Sequence, residues 1–280
     1  MAALLALASA LCWGSADYLG GVQSRRVSSI AVALWSQVLG GVVLFAIALL
    51  DGDSPAPVSL AWGAAAGVCT GSALILFYRG LSGGAMAIVA PISACGAIVP
   101  VVASILTGEP PSLVQYGGIA LCIAGAVAVS IPGAEGRHIS GHPFQAVALG
   151  ASAALGFGLF YLLVDRANGA GGTAVWVIVA ARAGSSVAIL AVAASTRTAL
   201  RIPGQIAPAV LLTGILDTSA NVLFAIAAAR GELGVVAVLG SLYPVTTVAL
   251  AMSIGGERVT RLRVLGGAVA LAGVAVLAAG

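Results

Sequence analysis

Three ionisable side chains stand well inside long apolar runs of this chain: Asp17, Arg182 and Asp217. At the centre of a lipid-spanning helix each would cost about 2.5–3.5 kcal/mol, so all three are expected to face a protein interior that pairs or hydrates them. One arginine can neutralise only one carboxylate. Asp217, nearer the middle of its apolar run, is the expected partner of Arg182, in an ion pair that ties two helices together. Asp17 is then left without an assigned counter-ion, as a candidate for taking up and releasing a proton.

Other polar and aromatic residues fall at helical spacing from these acids. Asn221 follows Asp217 by four residues and Trp13 precedes Asp17 by four, in each case one turn away on the same face. An indole beside a carboxylate suits a cationic or zwitterionic ligand. The same tryptophan would serve equally in core packing or as an interfacial anchor. Gln37 and Tyr243 extend the candidate set. Pro91 and Pro100 interrupt one apolar run and Pro244 interrupts another. Such a proline either frees carbonyls that line a cavity and flex in gating, or makes a tolerated kink whose freed groups Ser93 or its neighbours satisfy.

Catalytic chemistry is not expected. Gly150-Ala151-Ser152-Ala153 faintly resembles an intramembrane serine motif, but His138 and His142 lie in a linker, where they could not act as an embedded base. Neither Asp17 nor Asp217 has an aspartyl-protease context, and no P-loop or HExxH motif occurs. Cys12, Cys69, Cys95 and Cys122 sit in apolar stretches without metal-ligand or disulfide spacing and read as packing residues. No cofactor and no metal are expected.

The elements that must position these residues are membrane helices. Of 280 residues, 60% are hydrophobic and 8% charged, with mean hydropathy +1.13, against about a quarter charged in a soluble domain. A crossing helix takes about 20 residues. Apolar runs fall at about 2–21, 30–50, 59–79, 85–107 and 113–131, then at about 144–164, 174–194, 208–229, 233–254 and 262–279. The predicted fold is therefore an all-α polytopic membrane protein of ten transmembrane helices. The first run lacks a basic leader, so it reads as a retained helix and not a signal peptide. The twelve basic residues, all arginine, are scattered through short connections, which excludes a nucleic-acid face.

The chain repeats itself. Gly108-Glu109 before Gly118 and Gly125 matches Gly256-Glu257 before Gly266 and Gly273, at an offset of 257 − 109 = 148. The same offset pairs Ser93 with Ser241, Gly83 with Gly231 and Thr70 with Thr218. Trp13-Gly14 lies opposite Phe157-Gly158 at an offset of 144. The repeats run over 1–131 and 144–280, joined by a linker at 132–143. With five helices each, the second copy must enter the membrane from the opposite side. Inverted repeats of this kind supply two near-equivalent bundles able to rock about a midplane site.

Trp13-Gly14-Ser15-Ala16-Asp17, Ala90-Pro91-Ile92-Ser93, Gly108-Glu109-Pro110-Pro111-Ser112 and Gly256-Glu257-Arg258 give the chain a resemblance to the drug/metabolite transporter superfamily, specifically to ten-helix transporters with two EamA-type repeats. Two departures stand out: Leu239 at the position of Pro91, and Tyr161 at that of Asp17. The resemblance implies a secondary active transporter of the cell membrane, an exporter of a small metabolite, an amino-acid-like or a cationic compound. Its partners would be that substrate, the lipid bilayer and a proton as candidate coupling ion, with no nucleic acid. A non-transporting membrane partner or regulatory subunit is the alternative. The substrate site is expected between the halves, lined by the first, second, fourth, sixth, seventh and ninth helices, with Asp217 and Asn221 of the eighth at its edge.

Two further expectations concern packing and orientation. Gly63, Gly67 and Gly71 repeat the GxxxG spacing and should bring another helix close, within the monomer in preference to a second copy. Glu109 and Glu257 should each place a cap or an acid at the start of the next helix. Nine arginines fall on the side of the odd-to-even connections and two, Arg166 and Arg230, on the other. The positive-inside rule then puts both termini outside, whereas resemblance to the better-known relatives puts them inside.

Overall fold

The computed structural model describes residues 1–51, 56–99, 102–103, 111–130, 143–230, 239–240, 242–256 and 259–279. Ten α-helices run through the described residues, which hold no strand: α1 (Ala2–Gln23), α2 (Ser29–Asp51), α3 (Pro57–Ser82), α4 (Met86–Ala94), α5 (Leu113–Ser130), α6 (Pro143–Gly169), α7 (Ala174–Ser195), α8 (Ala207–Arg230), α9 (Tyr243–Ser253) and α10 (Arg261–Ala279). In lipid a spanning segment must satisfy its own backbone, and the helix does so within each run. Six of them, α1, α2, α3, α6, α7 and α8, are long and apolar enough to cross a membrane. Pro100, Glu109, Glu257 and linker residues 132–142 lie outside the described residues.

The two helix starts that follow the Gly-Glu pairs are capped by hydroxyls. The Gln115 N–H donates to Ser112 Oγ at 3.2 Å while the Ser112 N–H donates to Gln115 Oε1 at 2.9 Å, a reciprocal capping box. At the equivalent place in the second repeat, the Arg263 N–H donates to Thr260 Oγ1 at 3.3 Å. Leu239 and Gly240 are helical, Leu242 is a turn and α9 starts at Tyr243, so the ninth apolar run is broken just before Pro244. That proline stands in the first turn of α9, where the missing N–H has no helical partner to lose. Pro91 does lie inside α4, which gives way to a 3-10 turn at Cys95–Ala97. The Ser93 hydroxyl donates to the Ala90 carbonyl at 2.8 Å, not to the Ala87 carbonyl from which Pro91 withholds a donor.

Many large apolar side chains face outward, and most of the buried apolar residues are small. Leu4, Leu50, Leu113 and Phe144 are well exposed, while the buried set is dominated by alanine. Helix association in lipid depends on close backbone approach, which small residues permit. The glycines of α3 show it: a Cβ on Gly63 would meet the Val177 carbonyl, and Cβ atoms on Gly67 and Gly71 would meet Ala181 and Ser185, all in α7. The GxxxG face is thus used within the monomer.

The two repeats interleave. The first-repeat helix α3 packs on α6 and α7 of the second, and α1 packs on α8 and α9. The repeat-related pairs α5 with α10, α2 with α7 and α4 with α9 meet each other. The packing units therefore mix helices from both halves and differ from two separate five-helix bundles. The main core gathers Tyr18, Val32, Phe77, Tyr78, Leu81, Met86 and Ile88 with their neighbours. Because successive helices run in opposite directions, all of these lie towards the end of the molecule that carries the α1–α2 and α3–α4 connections. The opposite end, which carries the first and last residues, has the small cluster of Ala6 and Ala227 packed by Leu5, Phe224 and Leu239.

Candidate functional site

Each of the intramembrane charges is delivered by a different helix. Gly41 of α2 leaves the space into which Arg182 of α7 leans, and Gly40 lets α8 close on α2 beside Thr218 and Gly214. Arg182 Nη1 then lies 2.5 Å from Asp217 Oδ2, an ion pair tying α7 to α8. Gln37 of α2 donates from Nε2 to the same carboxylate oxygen at 3.5 Å, and its Oε1 accepts from Ser185 Oγ at 2.9 Å. Arg182 and Gln37 are buried, at 6% and 4% exposure. Desolvated charge requires pairing of this kind, although Arg182 Nε is buried with no partner.

Asn221 is placed otherwise than its spacing suggested. Its Nδ2 donates one N–H back to the Asp217 carbonyl at 2.6 Å, which leaves the second N–H and Oδ1 to meet a ligand. Helix α8 also stands inside the cluster and not at its edge, because Asp217 is the acceptor on which α2 and α7 converge.

Trp13 and Asp17 of α1 form the second part. Gly14, between them, lies against Thr246 and the Tyr243 carbonyl, and Thr247 Oγ1 donates to the Gly14 carbonyl at 3.2 Å. This close approach sets the Trp13 ring 6.5 Å from that of Tyr243 in an edge-on arrangement at 71°, and 5.5 Å from that of Phe224. The Tyr243 hydroxyl is within 3.2 Å of Ser93 Oγ, which joins α9 to α4 just beyond Pro91. Asp17 is half-buried, and among the described residues it makes no ion pair or hydrogen bond. It stands within electrostatic range of Asp217, Tyr78, Tyr161 and Tyr243.

The structure thus brings Asp17, Gln37, Arg182, Asp217, Asn221, Trp13 and Tyr243 into one interior region between the repeats. Pro91 reaches it through Ser93, and Pro244 is buried beside Tyr243. Sequence reasoning missed Ser185, Phe224, Tyr78 and Tyr161. For Tyr161 a signal existed, since it occupies the repeat position of Asp17. It is 44% exposed and lies within electrostatic range of Asp17 and Tyr243. The fully buried Tyr78 fits against α1 because Gly20 has no side chain. No group of three or more metal-ligating residues occurs among the described residues.

The model of the EamA-like transporter family matches residues 1–131 and 144–279. A solved structure described as "Crystal structure of protein" is similar in fold, with TM-score 0.67 at 16% identity over 99% of this chain and 96% of that one. No curated protein matches the chain.

Proposed function

The chain belongs to the EamA-like transporter family, and on that premise we propose that it is a secondary active transporter of the cell membrane, exporting a small metabolite, an amino-acid-like or a cationic compound by alternating access with the proton as coupling ion. One observation carries the reading. A carboxylate without a counter-ion among the described residues, Asp17, stands on α1 within electrostatic range of Asp217, which already neutralises the intramembrane arginine Arg182. The ion pair fixes the architecture, and the remaining acid is free to exchange a proton or to receive a ligand. Inverted repeats supply the two related arrangements that alternating access requires.

The test is flux into sealed proteoliposomes holding the purified protein, with an imposed pH gradient and a panel of amino acids, nucleobases and amines. At least one compound is expected to accumulate against its own gradient. Asp17→Asn should keep expression and helical content and lose gradient-driven accumulation, leaving at most passive exchange. Full proton-driven transport by that variant would remove Asp17 from coupling, and a panel no faster than through empty liposomes would overturn the transporter reading.

A further inference from the structure

Charge is divided between the two ends of the molecule. The connections at the end reached by α1, α3, α7 and α9 carry nine arginines against two acids, Glu135 and Glu257, whereas the opposite end carries two arginines against five acids. Among the described residues of the arginine end, Arg25, Arg26, Arg79, Arg197, Arg201 and Arg261 are exposed and no acid accompanies them. Four of the six stand on two neighbouring connections: Arg25 and Arg26 between α1 and α2, and Arg197 and Arg201 between α7 and α8. Packing of α1 on α8, and of α2 on both α7 and α8, holds these connections together. At the end of α1, Gln23 Nε2 donates to Thr213 Oγ1 of α8 at 2.9 Å, which brings Arg25 and Arg26 level with the start of α8. Trp35 of α2 donates its indole N–H to the Leu200 carbonyl at 2.9 Å, one residue before Arg201. That indole is 39% exposed and lies six residues, about 9 Å, inside the start of α2. A tryptophan so placed marks headgroup depth, and its bond to Leu200 fixes Arg201 at the same level. Arg197 follows α7 in a left-handed conformation, φ 51°, where glycine is favoured; the chain carries an exposed arginine there instead.

We propose that the α1–α2 and α7–α8 connections bind the phosphodiester headgroup of an anionic phospholipid, its phosphate among Arg25, Arg26, Arg197 and Arg201 and its acyl chains alongside Trp35. A guanidinium is always charged and presents a planar fork that matches two phosphate oxygens at once. Each basic residue near an anionic leaflet strengthens the attraction about fivefold. A zwitterionic headgroup brings an ammonium that the arginines repel. The acid-rich opposite end offers an anionic lipid no such attraction. The assignment needs only the membrane setting, and stands whether or not the chain transports.

The test uses the purified full chain in detergent micelles doped with phosphatidylglycerol or with phosphatidylcholine of identical acyl chains. Native mass spectrometry counts the lipids retained, and thermal unfolding in the same micelles follows stabilisation. Phosphatidylglycerol should bind at least about tenfold more tightly, a gap of about 1.4 kcal/mol, and should raise the unfolding temperature where phosphatidylcholine does not. Joint replacement by Arg25→Gln, Arg26→Gln and Arg201→Gln, with helical content unchanged, should abolish the preference, and Arg166→Gln at the opposite end should keep it. Should the joint variant fail to fold, the parent protein at about 1 M salt reads the same interaction, because screening should erase the preference. Equal affinity for the two lipids, or a preference that survives the joint replacement or the salt, would overturn the site. Stabilisation by soluble glycerol 3-phosphate equal to that by phosphatidylglycerol would replace the lipid with a free phosphate. Tighter binding of polyglutamate than of phosphatidylglycerol would reassign the face to an acidic protein partner.

Discussion

Asp217 and Asp17 illustrate two fates of a carboxylate in a membrane helix. Asp217 accepts from Arg182 and Gln37 and is a structural centre; Asp17 is left open. Asp217→Asn should therefore strand the buried guanidinium and lower stability by about 3–5 kcal/mol, read as a fall in thermal unfolding temperature in detergent. The double change Arg182→Met with Asp217→Leu should recover most of that loss, because an apolar pair of similar volume avoids the desolvation cost. Undiminished stability of Asp217→Asn would remove the ion pair from the account. Both acids were visible in the sequence as charges in apolar runs, and so was the choice of Arg182's partner. That Asn221 turns one amide N–H back onto its own helix was not visible, because four-residue spacing places two side chains on one face without saying which of their groups is already engaged.

Glycine spacing sets how closely the helices approach. Within α5, Gly117 and Gly118 are sequence neighbours with opposite surroundings: a Cβ on Gly117 meets nothing within 4 Å, and one on Gly118 would meet Leu277 and the Gly273 carbonyl of α10. Gly118→Ala should cost about 1–3 kcal/mol through overpacking, and Gly117→Ala should fall within about 0.5 kcal/mol of the parent. Thermal unfolding of the two variants side by side makes the comparison, and equal effects would show that α5 and α10 do not pack through this face. The same logic places Gly67 of α3 on α7. Helix existence and type were legible from run length. Which glycine of each run meets a neighbour was not, since the outward residues are as apolar as the buried ones.

The whole molecule is symmetric in topology and asymmetric in closure. The offset of 148 pairs Phe77, Tyr78 and Leu81 in sequence with Ala225, Ile226 and Ala229, so the large core residues of the first repeat have smaller counterparts in the second. Tyr78 is buried and Tyr161 half exposed accordingly. In a background without the four native cysteines, Tyr161→Cys should react with a membrane-impermeant maleimide and Tyr78→Cys should not. Equal labelling of the two would remove the closed end. Labelling of Tyr161→Cys should occur from the side of the termini, which the nine-to-two arginine bias places outside. A periplasm-sensitive reporter fused after the last residue checks that orientation independently, and a cytoplasmic signal would reverse it.

Composition, run length and the internal repeat were sufficient to specify a membrane protein of ten helices in two inverted copies, because lipid leaves a spanning chain few options and hydropathy reports them directly. The same residues, Asp17, Arg182 and Asp217, announced an interior by their expense in lipid. What only the tertiary structure decided is how the copies interlock, with α3 on α6 and α7 and α1 on α8 and α9, and which donors the interior has already spent. Those depend on side chains from four or five helices meeting at one place. Residues 180 positions apart, such as Gln37 and Asp217, share no local pattern, and their contact exists only once the small residues of α2 have let both α7 and α8 approach.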